Sequence, residues 1–254
     1  MTIAINYGTA TNGRTYFADW RADFISGNHP DNTGGFYPGS LSGTQYALSS
    51  GVEGHTAGFI AGGSLNYTLF SPPAHTLYGQ LDSLGFGDQI VKGGSGYGFN
   101  TGPELSITGL NLTGTQTANN IVHKVVYGLM QGTTTELEAL LNANNLSITG
   151  SSGADTVTGY NGNDTLTGGA GVDNFFFGVN GVATSFGNDT VTDYASGEKI
   201  QISNSLFANY SAFTAAGGTV GSVGGNTVID TNGHGTITLT GVTSFNTADL
   251  QFVA

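Results

Sequence analysis

Apolar and polar positions alternate through much of the first 115 residues, and that period predicts short strands. Residues 3–7 (Ile-Ala-Ile-Asn-Tyr) read as the first, and 36–49 carry Phe36, Tyr37, Tyr46 and Leu48. Residues 52–60 and 64–70 read as two more, with Gly62-Gly63 as the turn between them. Residues 76–91 follow with Leu81, Leu84 and Phe86, and residues 104–113 alternate again after the glycine-rich run KGGSGYGFNTG. Three stretches switch to helical spacing. Phe17, Trp20, Phe24 and Ile25 share a face of residues 15–25, which Gly27 or Asn28 ends. Ile121, Val122, Val125, Val126, Leu129 and Met130 do the same in 119–131. Thr134 or Thr135 caps a third helix, with Glu138 near the cap and Leu137, Leu140 and Leu141 as its apolar face, closed by Asn144-Asn145. Residues 1–148 are therefore expected to be one α+β domain, antiparallel strands packed against helices.

From residue 150 the pattern changes. GSSGADTVT, GYNGNDTLT and GGAGVDNFF are nine-residue units, 150–158, 159–167 and 168–176, with Asp155, Asp164 and Asp173 at the sixth position and Val157, Leu166 and Phe175 at the eighth. The period resembles the calcium-binding nonapeptide of parallel β-rolls of the repeats-in-toxin type. That resemblance implies an all-β C-terminal domain, 149–254: glycine turns and one carboxylate per unit hold Ca²⁺, and the eighth residue stacks inward. FGNDTVTDYASGEKIQI resembles the segment after the roll in secreted calcium-dependent proteases, and trailing strands are expected at 227–230 and 235–240. The terminus DLQFVA resembles that of a type I secretion substrate, which implies export to the medium through that machinery.

Composition narrows the function classes. Charged residues make up 9% of the 254, Lys+Arg number 5, and the formal net charge is −12. Nucleic-acid binding lacks its basic footprint, and an anionic membrane surface would repel the chain. The charge divides as −5 over residues 1–148 (9 acidic, 4 basic) and −7 over 149–254 (8 acidic, 1 basic), so a calcium-poor roll would repel itself and loosen. Cysteine is absent, which excludes disulfides and thiolate-bound metals. No run of 18 apolar residues predicts membrane insertion, and MTIAINYGTATNGRTYF does not read as a standard signal peptide. HExxH, GxSxG and Walker sequences are absent, so no catalytic residues are assigned.

The candidate chemistry centres on Tyr67 and His75. Leu65, Tyr67 and Leu69 alternate with Asn66, Thr68 and Phe70 as a short strand, Pro72-Pro73 stops it, and the chain resumes with His75, Leu77 and Tyr78. A phenol and an imidazole thus flank a stiff turn and can come within hydrogen-bonding reach. A tyrosine with an ordinary pKa of about 10 needs help to ionise at neutral pH. Ferric iron supplies most of it, and a neighbouring imidazole supplies the rest.

GGFYPGSLSGTQYALSS, GGSLNYTLFSPPAHTLYGQLDSL and VHKVVYGLMQG resemble strings of the secreted bacterial hemophores, the heme acquisition protein (HasA) family, a likeness that covers roughly residues 1–148. It implies a curved antiparallel sheet with helices on one side and ferric heme b held between two loops. Iron ligation then falls to Tyr67, with His75 hydrogen-bonded to its oxygen, and to His29 from an earlier loop. The pocket is expected to include Phe36, Tyr46, Leu69, Leu77, His123, Tyr127 and Met130. It implies a non-enzymatic, extracellular protein that takes heme from host heme proteins and delivers it to an outer-membrane receptor. Taken alone, the same residues have plainer readings: Met130 as helix packing, and Phe36, Tyr46, Leu69 and Leu77 as core. His55 and His234 carry no motif and default to the surface. A calcium-stabilised secreted adhesin or matrix protein, and a hydrolase without a recognised motif, are the other function classes.

Overall fold

The computed structural model describes residues 2–9, 11–25, 34–50, 56–178 and 184–254. His29, His55 and the expected helix end at Gly27 or Asn28 lie outside the described residues. The chain packs as two units, one of Thr15–Ala139 and one that joins Met1–Arg14 to Leu140–Ala254. The boundary expected from the sequence lies at 148/149; in this packing the first strand, β1 (Ile3–Tyr7), belongs to the second unit.

The first unit contains α1 (Tyr16–Asp23), β2 (Gly35–Pro38), β3 (Ser42–Ser49), β4 (Ala57–Thr68), β5 (Thr76–Asp88), β6 (Ile90–Gly93), β7 (Gly96–Phe99), β8 (Leu105–Gly114) and α2 (Ile121–Met130). The division between the units falls within the helix α3 (Thr135–Asn142). The main sheet of the first unit is antiparallel in the order β8-β5-β4-β3-β2, and β6 and β7 form a separate hairpin.

Gly62-Gly63 is not a turn. The two expected strands around it are one, β4, whose ladder with β5 continues past a register shift at Gly62/Gly63. Gly63 has φ +156, and a Cβ there would lie 2.1 Å from the Gln80 carbonyl oxygen. A glycine pair lets the strand bulge without breaking its pairing. A second shift at Leu81/Ser83 lies between β5 and β8, and such bulges curve a sheet.

The α1 face is aromatic. Trp20 stacks on Phe24 at 4.6 Å and meets Phe59 and Phe86 edge-on, and its indole N–H donates to the Gly58 carbonyl at 3.1 Å. The Asp23 carboxylate accepts the N–H groups of Thr56 and Ala57, which ties the helix end to the start of β4. Ile25, expected on this face, lies past the helix and is exposed. On α2, Val122, Val125, Val126 and Leu129 are buried. Thr134 Oγ1 donates to Glu138 at 2.6 Å, and Arg21 joins the same carboxylate at 2.7 Å. Among the described residues no helix is long and apolar enough to cross a membrane.

In the second unit the chain alternates between two ladders. The strands are β9 (Leu146–Thr149), β10 (Thr156–Thr158), β11 (Thr165–Thr167), β12 (Asn174–Phe177), β13 (Asn188–Val191), β14 (Lys199–Ser203), then α4 (Tyr210–Ala215), β15 (Thr219–Val223), β16 (Asn226–Asp230), β17 (Thr236–Leu239) and β18 (Leu250–Val253). One ladder, β1-β9-β11-β13-β17, is parallel, and the other, β10-β12-β14-β18, is parallel too. Strands β16 and β15 extend the first ladder antiparallel from β17; β16 and β17 fall where trailing strands were expected, and β15 was not expected. The parallel pairing of β1 with β9, Ile3 opposite Leu146, is what draws the N-terminus into this unit.

The nine-residue period becomes a ladder of buried carboxylates. Val157, Leu166 and Phe175 are fully buried, as the eighth position requires. Asp155, Asp164, Asp173 and Asp189 are buried as well, and each Oδ1 accepts a backbone N–H from an adjoining rung: Thr11 at 2.6 Å, and Leu146, Asp155 and Asp164 at 2.8 Å each. Charge-assisted bonds of this kind are the stronger class. The second oxygens differ. Asp155 Oδ2 accepts from Ser151, and Asp164 Oδ2 accepts from the Tyr160 N–H, whereas Asp173 Oδ2 and Asp189 Oδ2 have no hydrogen-bond partner. Burial pushes the Asp189 carboxyl up to about 8.

This shift fixes a sign. A carboxyl that titrates near 8 when folded and near 3.9 when unfolded stabilises the fold fully at low pH and loses that contribution as pH rises through the folded value. Calorimetry in chelator should show the transition of the second unit rising from pH 8 to pH 5. In Asp189→Asn the rise should be smaller. Equal pH slopes in the two proteins would contradict this account of Asp189.

Candidate functional site

The site grows from the end of the β4–β5 hairpin. Tyr67 is the penultimate residue of β4 and pairs with Leu77. Its N–H donates to the Leu41 carbonyl at 2.8 Å, so its other flank is held by the turn before β3. Residues 69–75 close the hairpin. Thr68, buried beneath them, donates from Oγ1 to the Pro73 carbonyl at 2.7 Å and accepts the Thr76 N–H at 3.1 Å. His75 has φ +56, a left-handed conformation that costs a non-glycine residue about 1–3 kcal/mol. The turn holds it there, and its Nδ1 lies 2.7 Å from the Tyr67 hydroxyl.

Tyr67 is half-buried, and burial followed by the nearby Tyr127 pushes its pKa up. It is a phenol at neutral pH, and in the Nε2–H tautomer of His75 its hydroxyl donates and His75 Nδ1 accepts. The imidazole is then an acceptor in place for the proton that the phenol would lose to a cation.

A cavity of about 420 Å³ opens at this pair, lined by Gly34, Phe36, Ser40, Leu41, Tyr46, Tyr67, Leu69, His75, Leu77 and Met130. Its size is that of a small-molecule site. Phe36 packs on Tyr46 at 4.9 Å and lies 6.5 Å from the Tyr67 ring. Seven residues expected from the sequence meet here: Tyr67, His75, Phe36, Tyr46, Leu69, Leu77 and Met130. Two do not line it. Tyr127 is 45% exposed, and His123 turns its Nδ1 to the Leu77 N–H at 3.2 Å while its ring stacks on Tyr127 at 5.0 Å. Gly34, Ser40 and Leu41 were missed. The signal for Gly34 is steric, since a Cβ there would lie 2.2 Å from the Tyr46 hydroxyl. Ser40 and Leu41 belong to a turn whose pairing with Tyr67 has no local mark.

Elsewhere, His234 is not a bare surface residue. It is half-buried, packs edge-on against Phe207 at 5.4 Å and contacts the Thr184 carbonyl at 2.7 Å. Among the described residues no three His, Cys, Asp or Glu side chains gather as a metal-binding group, so a cation at the aspartate ladder would have to draw on backbone carbonyls.

The sequence matches the family described as Heme-binding protein A (HasA) over residues 1–187. The chain belongs to the HasA family. It is 48% identical over 154 residues to the hemophore HasA of Serratia marcescens, a match covering 56% of this chain and 81% of that protein. The apo hemophore HasA of Yersinia pestis (tetragonal form) aligns over 56% of this chain and 87% of its own, at 28% identity and a TM-score of 0.48. The holo form from the same organism aligns over 56% and 89%, at 27% and 0.48. HasA proteins bind and transport heme and are not enzymes, which agrees with the lack of a catalytic motif. The family match ends before β13, so the last rungs of both ladders lie beyond it.

Thr68 is the hinge pin of the hairpin end. Thr68→Val keeps the shape and removes both hydrogen bonds, and it should cost about 1–3 kcal/mol in denaturant unfolding. The His75 Nδ1 resonance should move toward that of a free imidazole. An unchanged midpoint and resonance would show that the turn is held by other contacts.

Proposed function

We propose that this chain is a secreted hemophore that binds one ferric heme in the cavity at Tyr67 and passes it to an outer-membrane receptor. The observation that carries the reading is the Tyr67–His75 pair, 2.7 Å apart at an apolar cavity of about 420 Å³. The donor set fits ferric heme b. Phe36, Leu41, Leu69, Leu77 and Met130 offer apolar surface to a porphyrin, and a phenol with an imidazole at its oxygen offers a hard anionic ligand. Ferric iron supplies the Lewis acidity that ionises Tyr67. His75 takes the phenolic proton at Nδ1 and keeps it beside the new anion. His29, outside the described residues, is the proposed second ligand, and His29→Ala should change the spin state of the ferric complex. The heme propionates would be left to solvent, since a chain with Lys+Arg of 5 has little cationic charge to pair with them. Host heme proteins are the proposed source.

For the second unit, Asp155, Asp164 and Asp173 with the turn carbonyls are proposed to hold Ca²⁺ in a β-roll that serves type I export. Support comes from the nine-residue period, the two alternating parallel ladders and the buried Asp173 Oδ2 without a partner. Millimolar calcium should raise the thermal transition of this unit at pH 7.5, and chelator should lower it. The same profile in both would remove calcium from the account.

The proton transfer gives the main test. In the wild type His75 is there to take the phenolic proton, so from pH 6 to 8 heme affinity should vary less with pH than it does in His75→Ala. In His75→Ala the proton goes to solvent, and Kd should fall about tenfold for each unit of rising pH. Tyr67→Ala should weaken binding more than either histidine variant. Hemin titrations across that range read all of these. Parallel pH slopes for wild type and His75→Ala would refute the proton transfer, and no saturable Soret change at one equivalent would refute heme binding itself.

A further inference from the structure

Strand β5 is longer than the partner on its outer edge. Its pairing with β8 ends at Gly79 opposite Gly114, yet β5 runs on to Thr76 at the site. Leu77 is buried there, so its N–H and C=O need partners other than water. They find them on α2. The Leu77 N–H donates to His123 Nδ1 at 3.2 Å, and its carbonyl accepts from Asn120 Nδ2 at 2.9 Å. The two side chains stand where the next residues of β8 would have stood.

The arrangement is over-determined. Asn120 Oδ1 caps α2 by accepting the His123 N–H at 2.9 Å, and Asn120 Nδ2 also donates to the Thr117 carbonyl at 2.7 Å. Gly114 makes room, since a Cβ there would lie 2.1 Å from Asn120 Oδ1. His123 lies nearly parallel to Tyr127, 5.0 Å away at 19°, which fixes its ring. Because Nδ1 accepts, the ring proton sits on Nε2.

Both polar groups of Leu77 point at α2, so Leu77 and Tyr67 form a non-hydrogen-bonded pair across β4 and β5, the closer of the two antiparallel spacings. We propose that Asn120 and His123 are positioning residues for heme binding, a side-chain substitute for a missing strand that pins Leu77 and thereby sets the Tyr67 oxygen against the iron. The proposal rests on Tyr67 being the heme ligand.

Full-length variants separate the clamp from the helix cap. Asn120→Asp keeps the cap acceptor and loses the donor to Leu77. His123→Gln keeps an acceptor on a flexible chain, and His123→Phe has none. Amide exchange at Leu77 in the heme-free protein should speed up about tenfold or more in Asn120→Asp and His123→Phe. Ferric-heme affinity should fall about tenfold, with a shifted electron paramagnetic resonance signal. Far-UV circular dichroism should not change, and His123→Gln should restore part of both effects. Unchanged Leu77 exchange in Asn120→Asp and His123→Phe would overturn the clamp. Faster exchange with an unaltered heme signal and affinity would overturn the positioning role. A wild type that takes up no heme would end the heme reading and the positioning role together, while Leu77 exchange would still report on the clamp.

Discussion

The hydrogen bond between Tyr67 and His75 is the constraint on which the site depends, and it is made where the β4–β5 hairpin turns. Neither ring could find the other in an unfolded chain with useful frequency. The ladder of β4 and β5, bulged but unbroken, brings residues 67 and 77 opposite each other, and Thr68 ties down the turn that carries His75. The cost of a left-handed His75 is met by that turn. The cavity follows from the same geometry, because Leu77 and Tyr67 share one end of the hairpin while Phe36 and Tyr46 pack alongside.

The second unit solves a different problem with a similar device. Short strands of three to five residues bury few side chains each. Here a carboxylate from one rung takes a backbone N–H from another, and the eighth-position side chains stack beneath. Such a ladder is stable only if its second oxygens are also satisfied, by a backbone N–H as at Asp164, by a proton, or by a cation.

Much of this was legible in the sequence where the signal is local or periodic. The Tyr67–His75 spacing, the helical spacing of Val122 to Leu129 and the nine-residue recurrence of aspartates each map directly onto structure. Failures came where a choice is made at long range. Gly62-Gly63 reads as a turn because glycine pairs usually are; only the partner strand makes it a bulge. The parallel pairing of Ile3 with Leu146 has no local trace, so nothing in the sequence pattern joins β1 to the second unit. Helical period put His123 on a face with Tyr127, but not against the Leu77 backbone, because the missing length of β8 cannot be read from spacing. Leu41 reaches the site through a backbone bond to Tyr67, which side-chain patterns do not encode.

The central claim is that the Tyr67 oxygen, ionised beside His75, binds ferric iron. Resonance Raman spectroscopy of the ferric-heme complex tests it most directly, with excitation in a tyrosinate-to-iron charge-transfer band and the wild type compared with Tyr67→Phe. The account predicts phenolate modes and an iron–oxygen stretch in the wild type that vanish in the variant. The same phenolate modes in Tyr67→Phe, or none in a wild type that holds heme, would contradict it.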